Sequence, residues 1–252
     1  MTAPASRVLV CDTPRPAAAV RLVCFPHAGG SASFYRSWGP ALPEAEVHAV
    51  QYPGRADRMD EEPPHDLVRL AAEIADALEP LADRPLAFFG HSLGAPVALE
   101  TARALQSRGI HLAHLFASGS RDAPLPVLPD HDDDPDQLLK DLVRMGGTDA
   151  EMAADPIFQE VVLPYLIADG RMFHDYAMAP GPQLTCPVTT VVGDRDDDAD
   201  LRPWSALSTG PVREAGVTGN HFYLIADPPY SLLREALTAP PGPAPRPAPE
   251  LP

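Results

Sequence analysis

Short apolar runs alternate with helical periodicity along most of this chain. The segments Val20–Phe25, Glu46–Gln51, Leu86–Phe89, His114–Ser118 and Val188–Val192 are brief, apolar and bounded by turn residues, and read as buried strands. Val212–Ala215 is a weaker one. Between two of them, 66–81 places Leu67, Leu70, Ile74, Leu78 and Leu81 along one helical face. Strands alternating with helices predict an α/β fold, a mostly parallel sheet with helices on both faces. In such sheets chemistry gathers at the carboxyl ends of the strands.

The rhythm stops after Gly119. From Pro129 to Met178 only helical stretches are visible: 136–145, stopped by Gly146-Gly147, and 156–172, with Phe158, Val161, Val162, Tyr165, Leu166 and Met172 as its apolar members. An all-helical insertion late in a parallel sheet reads as a lid over the cleft, the alternative being an unusually long crossover. The expected organisation is an N-terminal segment over 1–19, a core over 20–128 and 179–238, the lid over 129–178, and a tail over 239–252 too rich in proline to pack.

Composition narrows the partners. The formal charge of −16 over 252 residues argues against nucleic acid and against electrostatic docking on an anionic membrane. The chain shows no basic segment leading into a long apolar stretch and no run able to span a bilayer, so a cytoplasmic protein is expected, and a monomer. Cys11, Cys24 and Cys186 have neither metal spacing nor an even count; no metal and no cofactor is expected.

The chemistry concentrates at Gly90-His91-Ser92-Leu93-Gly94, between the strand ending at Phe89 and a helix beginning near Ala95. A G-x-S-x-G in that context is a nucleophile elbow, a turn too tight for a Cβ that throws the serine out at the mouth of a cleft. Ser92 needs a base, and the base needs an orienting acid, in the chain order Ser, Asp or Glu, His. Asp196 follows the strand end and glycine turn at Val192-Gly193, and His221 sits in a turn directly before an apolar helix. Asp122, after the preceding strand, is a second candidate acid. The alternation Asp194, Asp196, Asp198, Asp200 invites a calcium loop, but its sixth and twelfth places hold Ala199 and Ser205, not glycine and glutamate. His111-x-x-His114 lacks a third ligand. One oxyanion donor is the amide of Leu93, at a helix N-terminus; the second is assigned to the amide of Ala28 in Phe25-Pro26-His27-Ala28-Gly29-Gly30-Ser31. No Gly-Lys-Ser/Thr follows those glycines, which removes a P-loop reading, and His27 suits a loop-shaping role.

Taken together, FPHAGGSASFY (25–35), QYPGRADR (51–58), FGHSLGA (89–95), PVTTVVGDRD (187–196) and GNHFYL (219–224) resemble the type II thioesterases of modular polyketide synthases and nonribosomal peptide synthetases, enzymes of the α/β-hydrolase fold. Two departures stand out: Asp197-Asp198 replace a proline usual after the acid, and Asn220 replaces a glycine before the histidine. The resemblance implies hydrolysis of acyl groups from the phosphopantetheine arm of an acyl or peptidyl carrier protein through an acyl-serine intermediate, an editing role. A product-releasing thioesterase, an esterase, an acyltransferase or a non-catalytic receptor shares the same fold. Arg55, Arg58, Arg144 and Arg171 either steer an acidic carrier or are solvated surface charges. Met145, Phe158, Met172, Phe173 and Tyr176 either line an acyl chamber or pack the helices.

Overall fold

The computed structural model describes residues 7–126, 134–178, 181 and 183–238; the tail over 239–252 lies outside them. Strand residues alternate between two apolar cores. Along β2 (Val20–Phe25), Val23 and Phe25 enter one core while Val20, Leu22 and Cys24 enter the other. Along β4 (Leu86–His91), Leu86 and Phe88 face the first and Ala87 and Phe89 the second. A sheet buried on both faces requires continuous apolar runs, which explains their legibility in the sequence.

The remaining strands of this sheet are β1 (Leu9–Val10), β3 (Ala45–Val50), β5 (His114–Ser118), β7 (Val188–Gly193) and β9 (Val212–Val217). The order is β1-β3-β2-β4-β5-β7-β9, parallel except for β1. Residues 1–19 are therefore not wholly apart from the core: Leu9 and Val10 form its antiparallel edge against Val50 and Ala49. A two-residue strand is too short to leave a period. A small parallel pair, β6 (Ser120–Asp122) and β8 (Asp200–Arg202), also carries no sequence signal.

Helices α2 (Leu67–Leu78) and α3 (Gly94–Ser107) pack together over the first core. The short α1 (Trp38–Ala41), with α8 (Tyr223–Ala226) and α9 (Tyr230–Thr238), covers the second. Within the insertion lie α4 (Pro135–Met145), α5 (Ala150–Ala153) and α6 (Pro156–Asp175), with no strand among the described residues there. Each starts on an aspartate whose carboxylate accepts backbone N–H groups of its first turn: Asp134, Asp149 and Asp155. The single turn α7 (Trp204–Leu207) follows β8. Among the described residues no helix is long and apolar enough to cross a membrane.

The connections leaving β2 and β4 run to opposite sides, because β3 lies beyond β2 and β5 lies beyond β4. The crevice between those two strand ends is the switch point at which ligands bind in open α/β sheets.

Candidate active site

Ser92 stands at that point, half-buried between β4 and α3 with φ at +54°, a left-handed conformation costly for a residue with a Cβ. Collision explains its flanking glycines. A Cβ on Gly90 would lie 2.2 Å from the Gly94 carbonyl oxygen, and one on Gly94 would lie 2.1 Å from the Phe25 carbonyl oxygen. The second contact also presses the start of α3 against the end of β2, bringing Leu93 toward the loop that carries Ala28. The Ser92 amide donates to the Ser118 carbonyl at 2.8 Å, hanging the elbow on β5.

His221 reaches the same place from the other end of the chain. A Cβ on Gly119 would sit 2.8 Å from its Cε1, and the ring of His91, the neighbour of Ser92, lies 5.0 Å from the His221 ring. Nδ1 of His221 lies 3.0 and 3.1 Å from the two carboxylate oxygens of Asp196, with both side chains nearly sealed from solvent. Asp122 is not the partner. It accepts from the Ser205 amide at 3.0 Å and from its hydroxyl, on the rim of the fold.

The alternating aspartates diverge onto four different partners. Asp194 accepts the Gly219 amide at 2.8 Å, Asp196 meets His221, Asp198 pairs with Arg144 at 2.8 Å, and Asp200 pairs with Arg202 at 2.7 Å. The Gly219 carbonyl in turn accepts the Arg195 amide at 2.9 Å, so the loops bearing the acid and the histidine are cross-braced. The Asp198 amide donates to Asp196 Oδ1 at 3.1 Å, bracing the acid.

Behind His221 sits a layer of buried rings. His91 Nδ1 is 2.9 Å from the Ser118 hydroxyl, which is 2.7 Å from the Tyr223 hydroxyl. His27 packs edge-on against Phe34 and Phe222, each at 4.8 Å. Burial, with the nearby His221 and Arg55, pushes the His27 imidazole down to about 3. Burial, with His221 and His27, drives His91 well below the ordinary histidine value. Both are neutral at physiological pH, so the imidazole beside Ser92 has no cationic ring behind it.

The loop carrying Ala28 is a turn closed by the Gly30 amide donating to the His27 carbonyl at 2.9 Å, with Gly29 at φ +75°. Among the described residues, neither the Ala28 nor the Leu93 amide is paired with a protein acceptor. Two unpaired N–H groups beside a half-buried serine are what an oxyanion requires.

Two of the arginines singled out in the sequence, Arg55 and Arg58, are buried and so placed otherwise than steering would need. Arg55 is only 1 % exposed and makes a bidentate pair with Asp169 of α6 at 2.7 and 2.8 Å. Arg58 is buried against Glu61 and Glu73. Arg144 joins Asp198 to Asp141, and Arg171 is exposed. Asp169 was not foreseen. Its signal was available, because Leu166, Asp169 and Met172 are the buried residues of α6, and a carboxylate on an apolar stripe demands an internal partner. Met172, Phe173 and Tyr176 pack into the first core, and Met145 and Phe158 against the second. Cys11, Glu46 and His48 bring candidate ligand atoms within 4.8 Å of one another. Glu46 is already held by the guanidiniums of Arg21 and Arg84, which would repel a cation. His111 and His114 turn to different threonines, Thr185 and Thr189.

Comparison with known proteins follows the same line. The thioesterase domain profile matches residues 20–238. The thioesterase PikA5 of Streptomyces venezuelae is 43% identical over 220 residues, covering 84% of this chain and 78% of that protein. The type II thioesterase BorB from the borrelidin biosynthetic cluster superposes with a TM-score of 0.79 at 35% identity, covering 94% of this chain and 100% of that one. The thioesterase RedJ of the prodiginine pathway in Streptomyces coelicolor gives 0.79 at 37%, covering 94% and 90%.

Proposed function

The chain belongs to the thioesterase domain family, and from that premise we propose that it hydrolyses acyl thioesters carried on the phosphopantetheine arm of polyketide or nonribosomal peptide carrier proteins, in an editing role. The observation that carries the chemistry is the buried His221 held through Nδ1 by both oxygens of Asp196, beside a serine in a left-handed elbow. Donating from Nδ1 to the carboxylate fixes the tautomer that leaves Nε2 free to take a proton.

Ser92 Oγ attacks the thioester carbonyl as His221 takes its proton, and the amides of Ala28 and Leu93 receive the oxyanion. Collapse of the tetrahedral adduct breaks the C–S bond, and His221 returns the proton to the departing thiolate. Water then enters, gives a proton to His221 and attacks the acyl-serine; collapse releases the acid and restores the serine hydroxyl. These steps draw on side chains and main-chain amides of this chain alone. The same reading has the enzyme work as a monomer in the cytoplasm, where it meets carrier proteins.

The test is to present acetyl-, propionyl- and longer acyl-carrier proteins to the wild type and to Ser92→Ala. We expect acid release by the wild type and a fall of kcat by about 10⁴-fold or more in the variant. Undiminished turnover by Ser92→Ala, or no turnover of any carrier-bound acyl group by the wild type, defeats the reading.

A further inference from the structure

Helix α6 lies directly on the turn that carries Ala28. A Cβ on Gly29 would meet Leu166 Cδ1 at 3.1 Å, and one helical turn on, Asp169 Oδ2 accepts the Gly29 amide at 2.9 Å. The same oxygen accepts Arg55 Nη1 at 2.8 Å, and that nitrogen also donates to the Gly30 carbonyl at 2.9 Å. Oδ1 takes Arg55 Nη2 at 2.7 Å. The guanidinium lies over the rings of Tyr52 at 5.2 Å and Tyr165 at 4.8 Å. A closed circuit therefore runs from the Gly29 N–H through Asp169 and Arg55 back to the Gly30 C=O.

The consequence lies in peptide-plane geometry. Gly29 at φ +75°, the third residue of a turn closed from Gly30 to His27, has the signature of a type II turn. Type I and type II differ by a flip of the middle peptide, here the one joining Ala28 to Gly29. Asp169 holds the N–H of that peptide. The hydrogen bond from Gly30 holds the His27 carbonyl, which is antiparallel to the Ala28 N–H across a planar trans peptide. Ala28 lies between the two fixed planes.

We propose that Asp169 is a positioning residue for thioester hydrolysis: by accepting the Gly29 amide and pairing with Arg55, it keeps the 27–30 turn in the form that aims the Ala28 N–H at the oxyanion. This rests on Ala28 being an oxyanion donor. Asp169 touches no reacting atom and acts through the turn. A buried ion pair is a poor source of stability in itself, since apolar groups of similar volume often replace it without loss. Its role here lies in what it orients.

That equivalence supplies the experiment. Wild type, Asp169→Asn and the double variant Arg55→Met with Asp169→Leu are compared for thermal unfolding, for kcat and KM on an acyl-N-acetylcysteamine thioester, and for inhibition by a trifluoromethyl ketone analogue, whose serine hemiketal needs the same amides. In the double variant we expect unfolding close to wild type, kcat down about 100-fold, analogue affinity down in parallel, and KM within about threefold. Asp169→Asn keeps an oxygen for the Gly29 amide, and about a tenth of wild-type kcat is expected to survive. A folded double variant with wild-type kcat and analogue affinity, or a loss confined to KM, overturns the proposal. If the wild type hydrolyses the thioester yet forms no hemiketal, the oxyanion-hole reading itself has failed and takes this proposal with it, an outcome recognised without any variant.

Discussion

The helical insertion meets the sheet through two arginine–carboxylate pairs of nearly equal length, 2.7 Å for Arg55 with Asp169 and 2.8 Å for Arg144 with Asp198. Their surroundings are opposite. The first pair has side chains 1% and 0% exposed; the second, 55% and 30%. Burial alone would lower the Arg55 pKa, but the charge and hydrogen bonds of Asp169 outweigh it and hold the guanidinium above its ordinary value. Arg144 is likewise raised, first by its hydrogen bonds to Asp198, yet water and salt screen most of that attraction. Distance therefore says little about what either tie is worth. The dielectric around it, and the groups left behind when it breaks, decide.

The largest effect should come from breaking the buried tie on one side. Asp169→Ala leaves the Arg55 charge sealed and uncompensated, at a cost of about 3–5 kcal/mol, to be read in chemical denaturation. The matching Arg144→Ala should lie at about 0–1 kcal/mol. Similar losses for the two would erase the contrast.

Acid should act next on the turn that the buried tie grips. His27, in the turn gripped by Arg55 and Asp169, is neutral when folded, with its pKa depressed to about 3. In the unfolded chain it returns to about 6.5. Between those values the unfolded state binds more protons, so stability from this group is complete above about pH 6.5 and falls toward pH 3, by about 1.4 kcal/mol per pH unit. Replacing His27 by Phe should flatten that slope in denaturation curves taken from pH 7 to 5; an unchanged slope assigns it to other groups.

A smaller change probes the contact between α6 and the turn. Gly29→Ala places a methyl against Leu166 in a left-handed backbone, which should cost about 1–2 kcal/mol and lower kcat more than it raises KM. The smallest effect belongs to the exposed pair. With about 0.5 M NaCl the stability difference between wild type and Arg144→Ala should vanish, since the Debye length falls to a few ångströms, while that of Asp169→Ala persists.

The two ties also mark what the sequence did and did not disclose. Strands β2, β4 and β7 were readable because they are buried on both faces, and their apolar runs have no other explanation. The elbow was readable because Gly90 and Gly94 are forced by collision with main chain, a constraint written in residue type. β1, β6 and β8 were not, being two or three residues long. Val161, counted among the apolar members of its helix, is 44% exposed, while Asp169 of the same helix is fully buried. Periodicity finds the stripe that faces inward only when charge is excluded from it. Here an aspartate occupies that stripe, with its partner 114 positions away, and Arg55 by itself looks like an ordinary surface cation.

The acidic loop after β7 carries a stricter demand than its composition suggests. Its four alternate aspartates are each delivered to a different address: a main-chain amide, an imidazole, a guanidinium on the insertion, and a guanidinium beneath it. One residue inserted after Gly193 would shift every delivery by a step while leaving charge and hydropathy almost untouched. Length, more than content, is what this stretch cannot trade away.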